Sequence, residues 1–249
     1  MATSTIVITG ASAGLGAEMA RQFADLGYDL GLCARRVDKL EALRTEITRT
    51  HPDRRVELKA LDVTDEKAVF SVFREFADEL GTVDRVIVNA GLGKGAALGT
   101  GRHDANRATA MTNFVGALAQ TEAALELFRD RGGGHLVMIS SMSALRGMRK
   151  AMTTYAASKA GIAALAEGIR SERVPGVDVS VVYPGYIASE MNDQVASKPP
   201  FMVDTRTGVR AMVSAIEKRK VKAYVPPWPW VPIGAVLKVL PLALLRKIT

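Results

Sequence analysis

Short apolar runs alternate with longer amphipathic stretches from one end of the chain to the other. Thr5–Thr9 (TIVIT), Asp29–Ala34 (DLGLCA), Val56–Leu61, Arg85–Val88, His135–Ile139 and Asp178–Tyr183 read as strands, with Ala223–Val225 a seventh. Between them, apolar residues at helical spacing predict helices up to about Leu26, over Val37–Thr50 and over Glu66–Leu80. One long helix is expected from about Asp104 to Arg131, and another over Thr154–Arg173. Strands that are almost continuously apolar and alternate with helices predict a parallel sheet covered on both faces. The expected fold is therefore α/β and doubly wound, with about seven parallel strands. There is no internal repeat, low-complexity segment or linker, so residues 1–225 are expected to form a single domain. Residues 226–249 read as an apolar extension of it.

The first strand runs into Thr9-Gly10-Ala11-Ser12-Ala13-Gly14-Leu15-Gly16, and a helix follows. A Rossmann-type fold binds pyrophosphate at this place: glycines let the backbone turn tightly, and the phosphates sit at the positive end of the helix. The spacing is GxxxGxG rather than the commoner GxGxxG. About 20 residues further on, an NAD site usually carries an acid for the ribose hydroxyls. Here Ala34-Arg35-Arg36 closes the second strand, and no carboxylate precedes Asp38. Guanidinium groups can clamp a 2′-phosphate that an acid would repel, so NADP(H) is the expected cofactor, with NAD(H) the alternative.

Tyr155-Ala-Ala-Ser-Lys159 opens the helix after the fifth strand, and the i,i+4 spacing puts Tyr155 and Lys159 on one helix face. A phenol is ordinarily too weak an acid for proton exchange at neutral pH, and a neighbouring ammonium would lower its pKa. Ser140-Ser141 ends the preceding strand, at the edge where parallel sheets bind ligands, and a hydroxyl there can hold a carbonyl oxygen. Asn113 lies in the long helix, where a buried amide must find partners.

Taken together, TGASAGLG, Asn89-Ala90-Gly91, Asn113, Ser141, YAASK and Pro184-Gly185 resemble the short-chain dehydrogenase/reductase family over nearly the whole chain. The resemblance implies hydride transfer at nicotinamide C4, between the cofactor and a carbonyl or alcohol. It makes Tyr155 the general acid/base. Lys159 would lower the Tyr155 pKa and bond the nicotinamide ribose. Ser141 would orient the carbonyl, and Asn113 would hold a relay water. Gly10 and the run Ser12, Ala13, Gly14, Leu15 and Gly16 would cradle the diphosphate. Asp62 and Val63 would border the adenine, and Asn89 would brace the sheet. Ile187 and Ser189 would contact the carboxamide. Three departures stand out. Val88 replaces an asparagine common before NAG. The glycine turn carries no basic residue. The Ser141–Tyr155 spacing is one residue long, which leaves Ser140 or Ser143 as alternatives to Ser141.

The substrate side falls to Gly91–Arg102, a glycine-rich segment expected to be mobile; to Ser143–Met152, whose Arg146, Arg149 and Lys150 either attract an acidic substrate or are solvated; and to Tyr186–Val203. Within the last, Asp193–Val203 reads as a lid. The formal charge of +7 is spread without a nucleic-acid motif, so no nucleic-acid partner is expected. His51, His103 and His135 are dispersed, and no metal site is expected. A single cysteine and the lack of a leader point to a cytoplasmic protein. A homodimer or homotetramer is the expected assembly. The tail, with Trp228, Trp230 and Ile233–Ile248, packs either on its own domain or a neighbouring subunit, or lies on a membrane surface. Rival readings are a non-catalytic dinucleotide-binding regulator and a membrane-peripheral structural subunit.

Overall fold

Every residue of β1 (Thr5–Thr9) and β2 (Asp29–Ala34) is buried. That is the signature of strands covered on both faces. A computed structural model describes residues 4–93, 95–190 and 199–248. Its seven strands form one parallel sheet in the order β3-β2-β1-β4-β5-β6-β7. The remaining strands are β3 (Val56–Ala60), β4 (Arg85–Val88), β5 (Gly134–Ile139), β6 (Val177–Pro184) and β7 (Lys222–Val225). The order reverses between β1 and β4, which opens a crevice at their carboxyl ends.

Successive residues of β1 serve opposite layers. Ile6 and Ile8 join the core made with α1 (Gly14–Asp25), α2 (Val37–Thr50) and α7 (Thr205–Glu217), through Phe23, Leu40 and Met212. Val7 joins the other core, made with α3 (Glu66–Leu80), α5 (Gly116–Arg131) and α6 (Thr153–Glu172), through Phe76, Phe128 and Ile162. The doubly wound expectation holds.

Two elements differ from the sequence pattern. The expected single helix is α4 (His103–Ala110) and α5 joined through a π turn at Met111–Val115, which contains Asn113. The sequence reading leaves out α7, although Asp204 caps it by accepting from the Thr207 N–H at 2.8 Å and Val209, Met212, Val213 and Ile216 are buried at helical spacing. The tail forms α8 (Pro227–Val239) and α9 (Leu242–Ile248), and the break before Pro241 falls where a proline delimits a helix.

Candidate active site

The glycine turn is shaped by what it must approach. Gly10 has φ +65°, and a side chain there would meet Ala90 Cα at 2.8 Å; one at Gly16 would meet the Gly10 carbonyl at 2.4 Å and the Asn89 amide at 2.7 Å. A Cβ at either position would push the helix off the strands. Thr9 ties the turn to the loop after β4: its Oγ1 accepts from the Asn89 and Ala90 N–H groups, both at 3.0 Å. Asn89 Nδ2 donates back to the Thr9 carbonyl at 2.9 Å. Val88 is a buried core residue, so the missing asparagine costs the turn none of these bonds. The N-cap of α1 is Ala13, which offers no side-chain acceptor, and the first turn holds no acid. Its first N–H groups are therefore left without a side-chain cap, in the turn that Ser12, Gly14 and Leu15 form at the carboxyl end of β1.

At the end of β2 the two arginines part. Arg36 Nε donates to Ser12 Oγ at 3.2 Å, and its Nη1 donates to Glu190 at 3.0 Å. Lys39 donates to the other Glu190 oxygen at 2.9 Å. Both cations hold the Glu190 carboxyl below its usual range, Lys39 the more strongly. Arg35 is largely exposed, 3.8 Å from Asp62. Asp62 accepts from the Thr64 N–H and hydroxyl, which together with Arg35 lower its pKa. Val63 packs under Gly116 at the start of α5. Lys39 and Glu190 were not picked out from sequence. Lys39 sits one turn into α2, a signal that spacing from Arg35 could have supplied; Glu190 arrives from a segment more than 150 residues away.

The catalytic candidates meet at the carboxyl ends of β4 and β5. Asn113 is fully buried in the π turn, where its Oδ1 accepts from the Leu92 N–H at 2.7 Å and its Nδ2 donates to the Leu92 carbonyl at 3.0 Å and Ser158 Oγ at 3.3 Å. Lys159 is buried, and its Nζ donates to the Ile139 carbonyl at 2.9 Å. A side chain at Gly91 would lie 3.2 Å from Asn113 Oδ1 and 3.4 Å from Lys159 Nζ, so these three converge on one point. The serine alternatives separate cleanly. Ser140 donates its hydroxyl to the Lys159 carbonyl at 2.8 Å and anchors α6. Ser141 is the hydroxyl that acts on Tyr155. Ser143 supplies only its N–H, donated to Ser141 Oγ at 3.1 Å. Between Ser141 and Tyr155 the chain makes 3₁₀ turns at Met142–Leu145 and Lys150–Met152.

Burial pushes the Tyr155 phenol above its ordinary value, with the Ser141 hydroxyl opposing, and pushes the Lys159 ammonium down to about 8. The expected lowering of the tyrosine by the lysine is not what this arrangement gives: Lys159 is directed at Ile139, and desolvation dominates both groups.

Around this centre, several expectations change. The Gly91–Arg102 loop is tied down at Leu92 by Asn113 and at Ala96, whose N–H donates to the buried Asn106 Oδ1 at 3.0 Å; Thr154 donates to the same oxygen. Arg146 is not simply solvated: its Nη1 donates to the carbonyls of Leu237, Lys238 and Leu240 at the end of α8. Arg149 donates likewise to the Arg246 carbonyl. Gly185 donates its N–H to the Val225 carbonyl at 2.9 Å and lies directly under the Trp230 indole. Pro184 ends β6 beside Val225. Ile187 turns its side chain into the core against Gly208 and pairs with Val203 as an isolated bridge. Ser189 comes within 3.4 Å of a side chain placed at Gly14, which brings the segment after β6 over the glycine turn. Of the expected lid, 193–198 lie outside the described residues. Among the described residues, no cluster could hold a metal ion.

A parallel sheet with this strand order, a glycine cradle at its switch point and a Ser-Tyr-Lys-Asn group gathered at the carboxyl ends of the adjoining strands defines a Rossmann-type oxidoreductase site. The family model for short chain dehydrogenase matches residues 4–200, and the chain belongs to that family of oxidoreductases. It is 51% identical over 243 residues to an uncharacterized oxidoreductase of Mycobacterium tuberculosis, covering 97% of this chain and 96% of that one. An uncharacterized oxidoreductase of Myxococcus xanthus is 33% identical over 242 residues, 97% of this chain and 94% of that one. Among solved structures, the chain is similar to a short-chain dehydrogenase from Sphingobium yanoikuyae in complex with NADPH, with a TM-score of 0.83, 26% identity and coverage of 99% and 96%. It is also similar to an alcohol dehydrogenase from Thermococcus sibiricus complexed with 5-hydroxy-NADP, with a TM-score of 0.78, 26% identity and coverage of 89% and 94%.

Proposed function

We propose that this protein is an NADP(H)-dependent oxidoreductase that reduces a carbonyl to an alcohol. The observation that carries the reading is the meeting of Ser141, Tyr155 and Lys159 at the carboxyl ends of the strands, beside the glycine cradle. The residues fit a nicotinamide dinucleotide: Gly10 and Gly16 let the turn pack tightly against the Asn89-Ala90 loop, and the uncapped α1 terminus behind it would hold the diphosphate charge. When bound, the cofactor supplies the hydride. Ser141 fixes the carbonyl oxygen, and Tyr155 gives it a proton. Burial keeps the phenol protonated at neutral pH, which suits donation and hence the reductive direction. Lys159, which stays mostly protonated at neutral pH even with its pKa lowered to about 8, restores the Tyr155 proton through a water beside Asn113. Any contact of Ile187 with the carboxamide comes from its main chain, since its side chain is in the core.

The preference for NADP(H) rests on Arg36 and Lys39, which already bind one anion, the Glu190 carboxylate, through both its oxygens. A 2′-phosphate carries more charge than a carboxylate and offers three acceptor oxygens to the same pair. Relatives of the same fold support the reading through the NADPH of the Sphingobium structure and the 5-hydroxy-NADP of the Thermococcus one. A homodimer or homotetramer in the cytoplasm, acting on a small-molecule substrate, completes the proposal. Titration with NADPH and NADH, followed by turnover of a ketone panel, tests it. Tighter NADPH binding and ketone reduction are expected; equal or tighter NADH binding overturns the cofactor reading, and saturable NADPH binding without turnover of any carbonyl overturns the reaction.

A further inference from the structure

The two tail helices are apolar on both sides. On the inner side, Trp230, Gly234 and Leu245 are buried, with Trp230 against Gly185 and Tyr186, and Gly234 against Met142 and Leu145. On the outer side, Trp228, Val231, Val236, Val239, Leu242 and Leu244 are exposed, Trp228 at 78%, Val239 at 79% and Leu242 at 64%. A helix that is apolar all round requires apolar surroundings all round, and here the protein covers only half of it.

Charge identifies what covers the rest. Residues 227–249 contain three Lys and Arg, Lys238, Arg246 and Lys247, and no acid; of the basic residues just before them, Arg219 and Lys222 are already paired with Asp178 and Glu167. The segment beneath the tail is equally free of carboxylates: the sequence has none between Asp130 and Glu167. Arg149, Lys150 and Arg246 are exposed at its edge, while Arg146 holds the carbonyl end of α8 and Arg149 that of Arg246, so the tail is fastened in place. A second copy docked by this face across a twofold axis would set like charges against each other with no acid to meet them. Among the described residues, no helix is long and apolar enough to cross a bilayer. An exposed tryptophan, aliphatic side chains and basic flanks without acids match the interfacial zone of a membrane.

We propose that α8 and α9 dock this protein on the surface of an anionic lipid bilayer. The contact lies next to Ser141 and Gly185, because Trp230 and Gly234 pack directly on the segments that follow them. The catalytic cleft therefore opens beside the lipid, where a lipophilic carbonyl compound would be concentrated.

The test is co-sedimentation of the full-length protein with phosphatidylcholine vesicles and with vesicles that also contain phosphatidylglycerol. Binding to the anionic vesicles, weakened by salt, is expected. Val239→Asp with Leu242→Asp should reduce binding at least about tenfold, and Arg246→Gln about fivefold. Both changes are at exposed positions, and circular dichroism checks that the variants remain folded. The proposal is overturned if the wild type stays in solution with both vesicles, or if the aspartates leave binding unchanged. It is overturned equally if light scattering shows a dimer that the aspartates dissociate while vesicle binding is absent, which would assign the face to a second copy. The readout needs no cofactor or substrate, so it stands apart from the reductase reading.

Discussion

The central strands carry a buried polar cluster at each end, and the two are built differently. At the carboxyl ends, Lys159, Asn113 and Ser141 face the cleft after β4 and β5. At the amino ends, Arg85 on β4 donates from Nε to His135 Nδ1 on β5 at 2.9 Å and from Nη1 to Glu217 at 2.6 Å, while its guanidinium lies over the rings of Phe23 and Tyr28. With Nδ1 accepting from Arg85, His135 must donate from Nε2 to Ser180 Oγ, at 2.8 Å. The Tyr28 hydroxyl closes the set on Glu217 at 2.9 Å. Both clusters shift a titratable group strongly. Burial and the adjacent Arg85 push His135 down to about 3, and burial pushes Lys159 down to about 8. A perturbed pKa therefore does not mark the active end. The difference lies in the bonds: the His135 ring has a protein partner at each nitrogen, whereas the Lys159 ammonium has three protons and, among the described residues, one acceptor, Ile139. One end is closed by protein; the other keeps donors for a ligand.

The comparison breaks first at Tyr155. Tyr155→Phe removes the proton donor and keeps the packing, so turnover should fall by roughly a thousandfold or more while cofactor binding and melting temperature stay close to wild type. Steady-state kinetics beside a thermal melt reads both. A variant with a tenth of wild-type turnover would move the proton source elsewhere in the cleft.

At the other end the signs reverse. Arg85→Met leaves Glu217 and His135 without their buried partner and should cost about 3 kcal/mol of stability, with turnover per folded molecule unchanged. Urea titration and active-site-normalised kinetics separate the two effects. A drop in turnover with little loss of stability would make the amino-end cluster functional.

His135 supplies the pH version of the same contrast. The unfolded chain binds a proton at this histidine near the ordinary 6.5, but the folded one does not until about 3. Between those values the unfolded state binds more protons, so stability rises with pH across the window and is lost as pH falls through it. The shift corresponds to an effect on the order of 5 kcal/mol over the full range. His135→Asn should flatten the dependence between about pH 6.5 and 4, measured by denaturant midpoints. An unchanged slope would assign the acid sensitivity to carboxylates instead.

How far the sequence reached follows the same division. Apolar runs are set by burial on both sheet faces, so β1, β2, α2 and α3 were readable to the residue. The glycine turn and the Tyr155–Lys159 spacing are local, and their places in the fold followed from order along the chain. What escaped depended on contacts between distant segments. Nothing in Ser140-Ser141 tells which hydroxyl bonds the Lys159 carbonyl, and nothing near Asn113 announces the π turn that aims it at Leu92. The Tyr155 shift ran opposite to the expectation because spacing on a helix places two side chains on one face without fixing where Nζ points. By contrast, α7 had a local signal in Asp204 and the Val209–Ile216 periodicity, which the sequence reading left unused.

The smallest effect tests the cofactor end of the cleft, where a protein group already sits on the donors. Glu190 bridges Arg36 and Lys39, so a cofactor phosphate arriving there must displace a carboxylate, not only water. Glu190→Gln removes the competing charge and keeps the side-chain shape. All three partners are substantially exposed, so solvent screening limits the gain, and NADPH affinity should rise only about two- to fivefold. NADH lacks the 2′-phosphate and should bind as before, so the NADPH/NADH ratio is the informative quantity, and it should rise less at high salt. Equal gains for both cofactors would mean that Glu190 restrains the segment over the glycine turn through Ser189 and Gly14 rather than competing at Arg36. A loss of NADPH affinity would mean that the carboxylate instead orients the two cations, and would place the phosphate on Arg35.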